Sequence, residues 1–249
     1  MPFDTTLARL TVQLSAAAYH DRLRAQDAVA ALGLTDFRWF SAASTQAFSA
    51  AGTEHLHVAF RGSEANPIDW SRNARFRPIA GEFGRIHSGF DGGVEEVWRE
   101  VLPVIEQTGK PVVFTGHSLG GALAVLAAVR ADRTGHPIAA VYTYGQPRVG
   151  HHDFGRLFGE RVGDRTFRSI NHVDLVTRVP LLLQGYRHAG QRIYFDRAGA
   201  AHVGASGWRI ALDDLAHRLT HLGRIKESAA LTLHSISAYV ERAQSLAGP

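Results

Sequence analysis

The sequence predicts an α/β protein with a mostly parallel central sheet flanked by helices. Two apolar strand patterns, at residues 112–114 and 138–144, are separated by an alanine- and leucine-rich helical pattern. A further strand pattern follows at 166–170, and this alternation of strand and helix is typical of right-handed crossovers between parallel strands. The 249 residues are 45% hydrophobic, which is enough for one large core. We therefore expect a single domain over residues 1–249.

The elements before the first parallel strand have a different character. Apolar residues at helical spacing predict a helix over residues 7–20. Short β-patterned runs then predict an antiparallel meander, at residues 37–40, 46–50 and 54–61. The last run alternates apolar and more polar side chains, so we expect it to have one apolar face.

Residues 112–121, with the sequence VVFTGHSLGG, carry the clearest chemical signal. They predict a buried strand that enters a helix through a tight Gly-X-Ser-X-Gly turn with Ser118 at its apex. Gly116 and Gly120 would allow strand and helix to approach closely. The turn predicts Ser118 as a nucleophile and the backbone N–H of Leu119, at the positive end of the helix, as an oxyanion donor. A phosphate cradle is disfavoured, because no lysine follows the glycines.

A second oxyanion donor is expected from Ser63, which follows the third strand of the meander. Its backbone N–H, and also its hydroxyl, would face Ser118 across the end of the sheet. The alternative is an ordinary turn serine.

The segment after Ser63 predicts a small lid over about residues 64–85. A helix start at residues 66–69 precedes Ile68, Trp70 and Phe76, which we expect to face substrate. The alternative is a surface helix that simply buries Trp70.

Asp174 is the candidate acid of a catalytic triad. It follows the strand at 166–170 directly, and in serine hydrolases of this topology the acid comes after the nucleophile and before the base. Other aspartates after Ser118 follow no predicted strand of this sheet: Asp153, Asp164, Asp196, Asp213 and Asp214. A carboxylate that only stabilises the turn is the alternative role for Asp174.

The residues alone do not identify which histidine is the base of the triad, because the chain has fourteen histidines. Those after Asp174 are His188, His202, His217, His221 and His234. His217 and His221 have the spacing of a metal pair but lack the glutamate of a zinc protease helix, so we expect neither metal nor cofactor. His234, His202 and His188 remain open at this point.

Composition limits the partners and the compartment. The chain has no cysteine, and its net charge of +4 comes from scattered arginines rather than a basic stripe, so we expect no nucleic-acid partner. It contains no apolar run long enough for a transmembrane segment. The first residues lack a secretory signal pattern, so we expect a cytoplasmic protein, with an extracellular location as the alternative if a signal was removed.

Taken in order, the motifs resemble those of the fungal-type, class 3 triacylglycerol lipases. The resemblance runs from about residue 7 to residue 240, and the ordered set is more specific than any single motif. The set comprises FRGS at 60–63, DW at 69–70, HSGF at 87–90, TGHSLGG at 115–121, YTYGQPRVG at 142–150, NHVD at 171–174 and the segment 234–239.

The resemblance implies an α/β-hydrolase fold and a lipase that acts on acylglycerols or medium-chain esters, with transient contact at a lipid interface. It implies Ser118 as nucleophile, Asp174 as acid and His234 as base, with Ser63 and Leu119 as oxyanion donors. The chain departs from the family in lacking disulfides and in an additional amphipathic pattern over about 205–229, which we expect to form a cap helix. Alternatives are a soluble feruloyl-type esterase, a phospholipase A1, a catalytically inactive hydrolase-fold binding protein and a histidine-rich metal-binding protein.

Overall fold

The architecture was obtained as a computed structural model that describes residues 2–63, 78–81, 83–206 and 232–246. Its strands, in chain order, are β1 Thr35–Ala42, β2 Thr45–Ala51, β3 Leu56–Phe60, β4 Pro78–Gly81, β5 Gly84–His87, β6 Val112–His117, β7 Ile138–Tyr144, β8 Gly150–His151, β9 Thr166–Asn171, β10 Tyr186–Arg187, β11 Gln191–Phe195 and β12 Ala201–Val203. Its helices are α1 Thr5–Ala17, α2 Arg22–Ala31, α3 Ser88–Thr108, α4 Leu119–Arg133, α5 His152–Arg161 and α6 Ile236–Gln244.

The main sheet has the strand order β1-β2-β3-β6-β7-β9-β11-β12. The first three strands pair antiparallel, as the predicted meander requires, and β3, β6, β7, β9 and β11 then pair in parallel. A smaller antiparallel sheet has the order β10-β8-β5-β4. The mostly parallel central sheet of the prediction is therefore confirmed, and the carboxyl ends of its parallel strands share one edge.

Helices cover both faces of the main sheet. Along β6, Val113 packs in a core with residues of α1 and α6, whereas Val112 and Phe114 pack in a second core with α3 and α4. This alternation follows from the two-residue period of a strand. The cores on the two faces hold β6 rigidly, and the turn after β6 is held with it.

Local capping explains where the helices begin. The Asp4 side chain accepts a hydrogen bond from the Leu7 N–H at the start of α1, and Asp21 does the same for α2 through Arg24. At α3 the cap is His87, whose Nδ1 accepts from the N–H groups of Gly89 and Phe90. Gly109, with φ of 60°, ends α3.

Two sequence expectations about these elements were incomplete. The expected apolar face of β3 is confirmed, since Leu56, Val58 and Phe60 pack in the core with α3 and α4. The other face is also buried, which was not expected. Ala59 on that face packs against α1 in a third core, and His57 is only 3% exposed. Helix α2 was not predicted, since it buries only Ala25 and Val29.

The expected lid and cap fall largely on residues outside the described ranges. Ile68, Trp70 and Phe76 lie outside them, as does nearly all of the expected cap helix at 205–229. The end of the predicted lid segment is described: β4 and β5 pair antiparallel in the smaller sheet. Within the described ranges, none of the helices combines the length and apolarity needed to cross a bilayer.

Candidate active site

The turn between β6 and α4 holds Ser118 in a strained backbone conformation, with φ of 56° and ψ of −125°. Close packing around the turn explains its glycines. A Cβ on Gly116 would lie 2.3 Å from the backbone of Gly120, and a Cβ on Gly120 would lie 2.2 Å from the carbonyl oxygen of Phe60. Because backbone atoms cannot move aside as a flexible side chain would, glycine is required at both positions.

Ser118, His234 and Asp174 form one chain of hydrogen bonds. The Oγ of Ser118 lies 2.8 Å from Nε2 of His234, and Nδ1 of His234 lies 2.8 Å from Oδ2 of Asp174. The three residues are 5%, 2% and 0% exposed, respectively. A buried carboxylate can only accept here, so the imidazole carries its proton on Nδ1 and presents the lone pair of Nε2 to the serine.

The carboxylate of Asp174 is fixed by two further donors. Its Oδ1 accepts from the N–H of Val176 at 2.9 Å, and its Oδ2 accepts from the hydroxyl of Tyr239 at 2.6 Å. The Tyr239 oxygen in turn accepts from the N–H of Asn171. Burial, followed by the nearby Asp174 charge, raises the pKa of Tyr239 well above its ordinary value, so this hydroxyl stays a donor. Sequence reasoning gave Tyr239 no role; its position in the first turn of α6 was the available signal.

The His234 imidazole, the candidate base, is also supported from behind by His117. Its Nε2 donates to the carbonyl oxygen of His234 at 2.6 Å, and its Nδ1 accepts from the Tyr19 hydroxyl at 2.7 Å. Burial, with a smaller contribution from His234, lowers the pKa of His117 well below its ordinary value. His117 is therefore neutral, which is the form that can donate with one nitrogen and accept with the other.

Gly145 completes the contact surface around the imidazole. It has φ of 61°, and a Cβ there would lie 2.9 Å from Nδ1 and Cε1 of His234 and 3.0 Å from Oδ2 of Asp174. A side chain at this position would push the histidine and the aspartate from their places. The sequence signal was the glycine directly after β7.

Ser63 and Leu119, the expected oxyanion donors, line the same cavity of about 380 Å³. The contact between Gly120 and Phe60 explains this, because it joins the end of β3 to the start of α4. The N–H of Ser118 donates to the Tyr144 carbonyl at 2.8 Å. The N–H of Leu119 is the first of α4, and the first N–H of a helix has no partner within the helix. Ser118 and His234 themselves do not line this cavity.

The other candidate bases are engaged elsewhere. His202 binds Asp196 with an Nε2 to Oδ2 distance of 2.8 Å, and His188 Nε2 donates to the Thr177 carbonyl. Asp196 directly follows β11, so setting it aside for want of a preceding strand was wrong; its partner is nevertheless His202 and not His234. His217 and His221 lie outside the described residues. In the ranges that are described, no three metal-binding side chains come together.

Residues 57–184 match the family model described as lipase (class 3). A secreted mono- and diacylglycerol lipase of Fusarium solani is 34% identical over 189 residues, which cover 66% of this chain and 55% of that protein. The chain thus matches only about half the length of that relative.

Solved structures show a similar architecture. A Rhizomucor miehei triacylglyceride lipase aligns with a TM-score of 0.69 and 26% identity, covering 80% of this chain and 82% of the other. A triacylglycerol lipase structure described as having a serine protease triad at its catalytic centre aligns with a TM-score of 0.68 and 27% identity, with the same coverages.

Proposed function

Since the chain belongs to the class 3 lipase family, we propose that it is a carboxylic ester hydrolase with Ser118 as nucleophile, His234 as base and Asp174 as acid. The observation that carries the proposal is the continuous hydrogen-bond chain from Ser118 through His234 to Asp174. The serine protease triad described for a triacylglycerol lipase of similar fold supports the same roles.

The proposed reaction is acyl transfer in two halves. His234 Nε2 takes the Ser118 proton as Oγ attacks the ester carbonyl carbon, and Asp174 stabilises the imidazolium that forms. The Leu119 N–H and the Ser63 N–H and hydroxyl donate to the oxyanion of the tetrahedral intermediate. The imidazolium protonates the departing alcohol and leaves an acyl-serine. Water, deprotonated by His234, then releases the carboxylic acid and restores Ser118.

For the substrate we favour acylglycerols or medium-chain esters at a lipid interface. The names of similar proteins, a mono- and diacylglycerol lipase and a triacylglyceride lipase, support this choice. The sequence of the expected lid also supports it, because Ile68, Trp70 and Phe76 are interleaved with arginines that would meet anionic headgroups. The similar Fusarium protein is named as secreted, so an extracellular location is favoured over the cytoplasmic expectation.

Replacing the nucleophile tests the reaction class. Ser118→Ala should lower hydrolysis of para-nitrophenyl butyrate about a thousandfold or more, because triad members act as a unit. The exposed Ser245→Ala is the matched control and should keep full activity. A fluorophosphonate should label the natural protein once, at Ser118. An unlabelled, correctly folded protein would instead favour the inactive binding scaffold.

The substrate class is tested by measuring rate against concentration for tributyrin through its solubility limit. A jump in rate when droplets form is expected for a lipase that acts at an interface. A smooth hyperbola, together with preference for short acyl or feruloyl esters, would favour the soluble esterase. Release of the sn-1 fatty acid from phosphatidylcholine at a comparable rate would favour phospholipase A1.

A further inference from the structure

Three consecutive leucines are exposed on a turn that follows the acid of the proposed triad. Leu181, Leu182 and Leu183 are 53%, 52% and 98% exposed. Single exposed leucines such as Leu23, at 72%, are common on protein surfaces. Three in succession on one tip are unusual, because each exposes apolar area that burial would remove from water. We call Leu181–Leu183 the leucine tip.

The leucine tip is held in a defined conformation. The N–H of Leu181 donates to Gln184 Oε1 at 2.8 Å, and Gly185, with φ of 86°, closes the short 3-10 turn over Leu182–Gln184. At the base of the tip, the Arg148 guanidinium donates to the Pro180 carbonyl at 2.6 Å. A preformed tip loses little conformational entropy when it binds a surface.

The charge around the leucine tip is positive. Residues 175–195 contain three arginines and no aspartate or glutamate. The exposed Arg187 donates to the Leu182 carbonyl at 2.9 Å, which places a cation directly beside the leucines. On the neighbouring helix α5, the carboxylate of Asp153 already pairs with Arg85 at 3.3 Å. An apolar tip with a cation at its base is complementary to lipid chains beneath anionic headgroups.

The position of the leucine tip links it to the proposed active site. The chain leaves the sheet at the carboxyl end of β9, and the leucine tip begins seven residues after Asp174. Arg148, which holds its base, lies three residues after Gly145, the residue that touches His234. Both attachments therefore come from chain segments that leave the edge of the sheet where Ser118 lies.

We propose that the leucine tip is a docking element, distinct in sequence from the expected lid, that inserts into an anionic lipid surface while Arg187 contacts the lipid phosphates. The proposal rests on the proposed function in that the docked surface would supply the ester substrate. Binding itself requires no catalysis, so the two can be tested apart.

The test is flotation of the whole protein with vesicles of ether-linked phosphatidylcholine, with and without ether-linked phosphatidylglycerol, because these lipids contain no ester to hydrolyse. The natural protein should float with the anionic vesicles and bind the neutral ones more weakly. Leu183→Ser should lower the partition coefficient about tenfold, as expected for losing most of one buried leucine. Leu183→Trp should bind at least as tightly as the natural protein, since tryptophan favours membrane interfaces.

Leu23→Ser is the matched control, with the same change at an exposed leucine on α2, and should leave binding unchanged. All these variants should keep the natural rate on para-nitrophenyl butyrate and the natural melting temperature. Equal vesicle binding by Leu183→Ser and the natural protein would overturn the proposal. It would also be overturned if Leu183→Ser abolished a dimer seen by analytical ultracentrifugation without changing vesicle binding. Absence of ester hydrolysis by the natural protein would instead count against the proposed function.

Discussion

At the scale of single residues, the proposed triad depends on neighbours that carry no reaction step. Tyr239 donates to the same oxygen of Asp174 that accepts from His234, and His117 donates to the backbone of His234. These contacts orient the carboxylate and the imidazole before substrate arrives. Because orientation affects the transition state more than binding, removing a contact should lower kcat more than it changes KM.

Tyr239→Phe tests this positioning role. We expect kcat on para-nitrophenyl butyrate to fall about tenfold with KM nearly unchanged, because a hydrogen bond to a buried charged group is lost. Tyr142→Phe is the matched control, since its buried hydroxyl bonds the backbone of Asp4. If both variants kept full kcat, or if Tyr142→Phe lost as much as Tyr239→Phe, the positioning role would be rejected.

The choice of base is a second prediction at this scale. His234→Ala should lose at least about a thousandfold in kcat, because Ser118 would have no proton acceptor. His202→Ala should keep nearly full activity, although it also belongs to a histidine–aspartate pair. Initial rates with a soluble ester measure the two effects. Comparable losses of kcat in His234→Ala and His202→Ala would contradict the assignment of His234 as the base.

At the scale of secondary-structure elements, the site depends on how closely α4 approaches β3 and β6. The approach is closest at Gly120, where a Cβ would meet the Phe60 carbonyl. This close approach brings the start of α4 near Ser63. It also holds the ends of β3 and β6 at the same edge of the sheet. The geometry of the proposed oxyanion site is therefore a property of strand and helix packing.

Two glycine-to-alanine changes in helices should have opposite effects on stability. Gly120→Ala should lower the free energy of unfolding by about 1–3 kcal/mol, because the methyl group overlaps backbone atoms. Gly92→Ala in α3 should raise it by about 0.4–1 kcal/mol, since no atom lies within 4 Å of the new Cβ. Urea denaturation of both variants measures the difference. If both variants changed the free energy of unfolding equally and with the same sign, helix propensity, and not the contact between Gly120 and Phe60, would determine the effect.

The elements that sequence predicted best were those with a local cause. The turn at Ser118 was readable because strand, glycines and helix are contiguous in the sequence. The two-sided burial of β3 was not readable, because α1, which covers its second face, is some forty residues away in the chain. The pairing of His202 with Asp196 depends on the β11–β12 hairpin. Spacing along the chain alone could not separate His202 from His234.

At the scale of the whole molecule, the core encloses histidines that must stay neutral. Burial lowers the pKa of His57 and of His87 to about 4, from a usual value near 6.5. The unfolded chain therefore binds these protons first as the pH falls. Stability is fully present above about pH 6.5 and is lost progressively toward pH 4. His87 adds a structural reason, because a protonated Nδ1 could no longer cap α3.

His57→Leu should reduce this acid sensitivity. Between its folded and unfolded pKa values, each buried neutral histidine makes the free energy of unfolding fall by up to about 1.4 kcal/mol for each pH unit of acidification. The contribution of His57 to this slope should be absent from the variant. The exposed His20→Leu is the control and should leave the slope as it is. The free energy of unfolding, measured in urea from pH 7 to pH 4, gives the slope. An unchanged slope in His57→Leu would show that other groups govern acid unfolding.

The separation of Ser118 and His234 by 116 residues has a consequence for how the protein is made. A ribosome releases the nucleophile turn, the parallel strands and Asp174 before it has joined His234 to the chain. On the proposed mechanism, every nascent chain that ends before His234 has a serine without a base. If the proposed mechanism holds, translation keeps the growing polypeptide inactive as an esterase until His234 has been added, and products that terminate before His234 should show no triad-dependent hydrolysis.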